Sequence, residues 1–88
     1  MSISSLTDLR KIIDDIDAQI VKLLNERATA ALEIGNAKEK LSQNMYDPSR
    51  EGTVLSHIDK LNKGPLPNGS VEDIYAAIIT ACREIQIK

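Results

Sequence analysis

Eighty-eight residues allow one domain, 1–88, and a chain of this size buries so thin a core that oligomerisation commonly supplements it. The formal net charge of -2 and the presence of only two aromatics, Tyr46 and Tyr75, argue against a nucleic-acid partner and against a base-stacking platform. The single Cys82 excludes an internal disulfide framework and a Cys-rich zinc site, and neither a leader pattern nor a membrane-length apolar run is seen. A cytoplasmic protein with no membrane partner is therefore expected.

From Leu6 the apolar residues fall at Leu6, Leu9, Ile13, Ile16, Ile20 and Leu23, then at Ala30, Ile34, Ala37 and Leu41. This 3-4-3-4 spacing is a coiled-coil-like helical seam. Ser5 or Thr7 can cap its start, no proline interrupts it, and Gly35 weakens it by roughly 1 kcal/mol relative to alanine. The spacing predicts one helix from 6 to about 41. At about 1.5 Å per residue that helix reaches roughly 54 Å, well beyond a compact globule of this length. Its overhanging seam, including Ile13, Ile16 and Ile20, needs a cover, and a second copy in a two-fold dimer is the commonest one.

After the polar connector "SQNMYD", Asp47-Pro48 sets an N-cap carboxylate before a proline suited to the first helical position. The second helix should bury Val54, Leu55, Ile58 and Leu61, with Gly64-Pro65 closing it. "GPLPNG" reads as a loop, after which Ser70 and Asp73 resemble a capping box. The third helix is expected to bury Ile74, Ile78, Ala81 and Ile85. Strand-like alternation and internal repeats are missing, so the class is all-α: three helices, one of them very long.

The seam lacks one tooth, at Arg27. A snorkelling arginine paired with Glu26 or Glu33 is one reading. The other is a buried guanidinium that awaits a bidentate anion, given room by Ala28, Ala30 and Ala31. Lys38 returns to within about 20° of the same face, roughly 16 Å along the axis, and is either a second ligand-binding cation or a solvated lysine. Gly35 admits either a ligand or a close helix. Asp47, Arg50 and Glu51 open the second helix, where a cap and an ordinary ion pair also explain them. Cys82 and Gln86 edge the apolar stripe of the third helix. The cysteine suits a core, whereas a buried amide must find partners. His57 is the only histidine, so a His-based triad or multi-histidine metal site lacks its material. Donors without a nucleophile suit binding, or a reaction that needs only positioning and electrostatic stabilisation.

Taken together, "LRKIIDDIDAQIVKLLNERATAALEIGNAK", "YDPSRE" and "SVEDIYAAIITACREIQ" resemble the all-helical chorismate mutases of the shikimate pathway over nearly the whole chain. The resemblance implies an intertwined three-helix homodimer that turns chorismate into prephenate with no metal or cofactor. It implies that Arg27 pairs with a substrate carboxylate and that Lys38 and Gln86 donate to the ether oxygen. Asp47 and Glu51 would lie near the ring hydroxyl with Arg50 beside them, and Arg10 would come from the partner chain. Cys82 stands where relatives often carry serine, and a thiol is the weaker donor. Helical geometry agrees about Arg10, which lies roughly 25 Å along the axis and about 100° round from Arg27. Two alternatives remain: an isochorismate-pyruvate lyase on the same fold, and a non-catalytic dimerisation or regulatory domain. The chain's end just after the third helix suits either a free-standing mutase or the N-terminal piece of a bifunctional mutase-dehydratase.

Overall fold

The structure is a computed structural model and describes residues 5–43 and 47–86. Three helices make up its regular secondary structure: α1 (Leu6–Lys40), α2 (Pro48–Leu61) and α3 (Asn68–Gln86). α3 packs against both α1 and α2. The molecule measures 59 × 23 × 15 Å, with a radius of gyration of 16.8 Å against about 12 Å for a compact chain of this length. The excess is α1, whose N-terminal half projects beyond the other two helices.

Local chemistry fixes the ends of α1. Ser5 is the N-cap, its hydroxyl accepting the Asp8 N–H at 3.1 Å. At the other end Ser42 takes a left-handed backbone, φ 58, so that the Gln43 N–H reaches back to the Lys38 carbonyl at 2.8 Å. That bond is the wrap-around closure of a Schellman cap, and it pins the turn that carries Lys38.

The apolar seam of the projecting half stays open in the single chain. Leu6, Leu9, Ile13, Ile16, Ile20 and Leu23 are 45 to 62% exposed, as expected of an overhang. Within the chain's own core, however, α1 buries Ala31 and Gly35, one position round from Ala30 and Ile34 of the seam.

α2 begins as expected, with Asp47 Oδ1 accepting the Arg50 N–H at 3.0 Å and proline in the first turn. It buries Ile58, half-buries Val54 and Leu55, and leaves Leu61 59% exposed, so Leu61 is not a core residue here. Gly64-Pro65 does not close the helix: α2 stops at Leu61, capped by the Asn62 N–H on the Ile58 carbonyl at 2.9 Å. Asn62 also organises the following loop. Its Nδ2 donates to the Leu66 carbonyl at 2.8 Å and to Asn68 Oδ1 at 2.7 Å, while its Oδ1 accepts the Gly64 N–H at 3.2 Å.

α3 differs from the sequence reading in two respects. It starts at Asn68, and the Pro67 carbonyl accepts the N–H groups of Ser70 and Val71, so Ser70 lies inside the first turn and is not its cap. Its core face is Ile79 and Cys82, with Ile78 half-buried. Ile74, Ala81 and Ile85 face out of the single chain. The apolar residues of α3 cover two faces, and one chain covers only one of them.

Asp59 on α2 has a buried oxygen, Oδ1, with no hydrogen-bond partner among the described residues. Glu72 on α3 titrates above its ordinary value of 4.5, first because its side chain, once protonated, hydrogen-bonds Asp59 and next because of the charge on Asp59. Burial and the nearby Asp73 push it the same way. Two carboxyls meeting in one helix interface favour keeping one proton between them.

Candidate active site

Where the three helices meet, a cleft of about 260 Å³ opens. α1 contributes Arg27, Ala31 and Lys38; eleven residues make three turns, so the arginine and the lysine do share a face. Ala30 and Ala31 keep the floor low between them, and Ile34 supplies an apolar wall. The first turn of α2 contributes Asp47, Arg50 and Glu51, with Val54 one turn further. The C-terminal half of α3 contributes Ile79, Cys82, Arg83 and Gln86.

Seven of the eight residues singled out in the sequence therefore line one cavity: Arg27, Lys38, Asp47, Arg50, Glu51, Cys82 and Gln86. Arg10 does not line it. It sits on the exposed projection of α1, about 25 Å along the helix from Arg27 by its rise per residue, and the cleft of its own chain is out of reach. Arg83 lies outside the sequence reading. It lines the cavity, and its Nη1 donates to Glu51 Oε2 at 2.7 Å in an ion pair between α3 and α2. As a lone arginine inside "ACREIQ" it reads as a surface cation. The signal that would have found it is its place on the Ile79, Cys82, Gln86 face, at three- and four-residue spacing.

Gln86 resolves the question of the buried amide. Its Nε2 donates to the main-chain carbonyl of Ala31 at 2.7 Å, which orients the amide and leaves the second N–H of the same nitrogen for another acceptor. Gly35 makes this approach possible. A Cβ at that position would meet Gln86 Cγ at 3.1 Å and Cβ at 3.3 Å. Of the two roles weighed for Gly35, the one observed is close helix packing: the glycine is buried and the α3 side chain lies over it.

The electrostatics follow from the count. Four cations, Arg27, Lys38, Arg50 and Arg83, face two carboxylates, Asp47 and Glu51, so four minus two leaves a formal surplus of two positive charges in a chain whose net charge is -2. Local concentration of charge of this kind draws an anion to a site that the overall field would not. Asp47 already has one carboxylate oxygen committed to the helix cap. Cys82 is buried at the cavity wall. Among the described residues no group of three or more His, Cys, Asp or Glu side chains could hold a metal ion, and no helix is long and apolar enough to cross a membrane.

An all-helical scaffold with a small cationic cleft, walled by apolar residues and furnished with an oriented amide, has the charge and size to suit a compact polyanion. The chain belongs to the chorismate mutase type II family, whose model matches residues 9–87. It is 44% identical over 77 residues to the bifunctional chorismate mutase/prephenate dehydratase of Neisseria gonorrhoeae, which covers 88% of this chain and 21% of that protein. It is 41% identical over 87 residues to the protein of the same description from Aquifex aeolicus, covering 94% and 24% respectively. The chain thus spans about a fifth to a quarter of the length of these relatives. Among solved structures, chorismate mutase (form II) from Thermus thermophilus superposes with a TM-score of 0.90 at 31% identity, over 92% of both chains.

Proposed function

We propose that the chain is a chorismate mutase, rearranging chorismate to prephenate. The observation that carries this reading is the meeting of Arg27, Lys38 and Gln86 in one cleft with a surplus of two positive charges. Chorismate is a dianion with two carboxylates, an enol ether and a ring hydroxyl. In its rearrangement a carbon–oxygen bond breaks as a carbon–carbon bond forms within one molecule, so no proton passes to the protein and no nucleophile is called for. Two tasks remain. The enolpyruvyl arm must be held folded over the ring, which Arg27 performs by gripping a carboxylate with its planar fork. Negative charge growing on the ether oxygen must be met as it appears, which Lys38 and the outward N–H of Gln86 perform. Arg50, Asp47 and Glu51 take the ring and its hydroxyl, with Cys82 packing at the wall.

The working unit is a homodimer. The single chain exposes 7112 Å², against about 5,100 Å² for a compact monomer of its mass. The excess lies within what one partner buries in an obligate interface. The open seam of α1 and the outward Ile74, Ala81 and Ile85 of α3 supply the apolar surface. A partner laid along the overhang brings its own Arg10 towards a cleft that its neighbour's Arg10 cannot reach. The reaction belongs in the cytoplasm, where a lone buried thiol stays reduced.

The test is to supply the purified chain with chorismate and, separately, with isochorismate, and to identify the products. Prephenate from chorismate supports the proposal. Release of pyruvate from isochorismate in preference points to the lyase, and turnover of neither makes the chain a non-catalytic member of the fold.

A further inference from the structure

We propose that Arg83 is a positioning residue that sets selectivity for the substrate's ring hydroxyl by holding the Glu51 carboxylate in place; this rests on the chorismate reading above. Arg83 Nη1 bonds Glu51 Oε2 at 2.7 Å, with both side chains 29% exposed, and both residues line the cleft. A carboxylate in a cleft built for a dianion repels its ligand unless the ligand brings a donor. At neutral pH the ring hydroxyl is the only donor that chorismate has.

Arg83 answers both sides of this difficulty. Its charge offsets that of Glu51, so the carboxylate does not compete with the substrate for Arg27 and Arg50. Its bond also occupies Oε2 alone, and leaves Oε1 to accept the hydroxyl hydrogen. A glutamate held in advance spares the substrate the entropy of ordering it. An ion pair this exposed adds little to stability, so its loss should be felt in selectivity and not in folding.

The experiment compares kcat/KM for chorismate and for an analogue with hydrogen in place of the ring hydroxyl, in the wild type, Arg83→Met, Arg83→Lys, Glu51→Gln and the Arg83→Met/Glu51→Gln double variant. The wild type should prefer chorismate by about tenfold or more, the worth of one charge-assisted hydrogen bond. Arg83→Met should lose activity on both substrates, because the unscreened Glu51 carboxylate repels either dianion, but should lose about tenfold more on chorismate than on the analogue, so the preference collapses. Arg83→Lys, which keeps the charge without the fork, should retain an intermediate preference and carries the test if the methionine variant does not fold. In the Glu51→Gln background, removal of Arg83 should change the preference no further. Equal losses on both substrates, or a second full loss in that background, would show that Arg83 acts elsewhere and overturn the proposal. A wild type inactive on chorismate would overturn the underlying reading and this inference with it.

Discussion

Gln86 on α3 reaches across the helix interface to the main-chain carbonyl of Ala31 on α1, at 2.7 Å, and it can do so because Gly35, one turn along α1, has no side chain to hold it off. A single contact thus joins the packing of two helices to the aim of a donor. On the proposed function, helix propensity and catalysis pull position 35 in opposite directions.

Gly35→Ala separates the two. Alanine should favour the helix by about 1 kcal/mol, offset by whatever Gln86 must yield when a Cβ arrives 3.1 Å from its Cγ. The side chain can move by a few tenths of an ångström, but the movement takes its amide off the Ala31 carbonyl. We expect an equal or higher melting temperature with kcat lower by roughly tenfold, in line with the sensitivity of aligned groups to small displacements. Stabilisation with unchanged kcat would reduce Gly35 to a packing residue.

Gln86→Glu should move the pH optimum towards acid. A carboxylate there faces the Ala31 carbonyl, acceptor against acceptor, and offers nothing to the ether oxygen. Once protonated it has a single O–H to donate. A pH–rate profile of the variant against the wild type reads the shift. An active variant with the wild-type profile would place Gln86 outside the reaction.

Stability carries its own pH dependence through Glu72. Its carboxyl titrates above 4.5 in the folded chain first because the protonated side chain hydrogen-bonds Asp59 and then because of the charge on Asp59. The folded state therefore binds a proton that the unfolded state has released, so this contribution is complete below the unfolded value and is lost as pH rises through the folded one. Glu72→Gln supplies a donor to Asp59 at every pH. Compared at fixed chain concentration, the variant should have the higher urea midpoint at neutral pH, and the difference should shrink towards pH 4.5. A variant less stable than wild type at neutral pH would contradict the shared-proton account.

The sequence disclosed the elements readily, because a 3-4 seam from Leu6 without proline, and the Asp47-Pro48 start, have few other solutions. It disclosed the faces less well. On both α1 and α3 the observed core lies one residue round from the expected one, at Ala31 and Gly35 in place of Ala30 and Ile34, and at Ile79 and Cys82 in place of Ile78 and Ala81. Hydrophobic periodicity reports everything a helix buries against all its neighbours, and an amphipathic stripe wide enough for two partners has its centre between them. The site was legible where a polar residue broke an apolar pattern, as Arg27 and Gln86 do. Arg83 shares the three- and four-residue spacing of Ile79, Cys82 and Gln86, but spacing gives only its face; its partner Glu51 is 32 positions away, and pairings of that range leave no mark in local spacing.

The central claim is that one chain's three-helix cleft, completed by Arg10 of a second chain, rearranges chorismate, and refolded mixtures of two variants test it most directly. Lys38→Ala should lower the rate by roughly 100- to 1000-fold, as removal of an oxyanion-type donor does, and Arg10→Ala should also be severely impaired, each with little change in stability. In a mixed dimer one site combines an intact Lys38 with an intact Arg10, and the other inherits both defects. Random pairing of an equal mixture gives about half mixed dimers with one working site of two, hence about a quarter of wild-type activity, while neither variant refolded alone recovers. Activity that stays at the average of the two variants, with chain exchange demonstrated, would show that Arg10 does not cross between chains and would contradict the account.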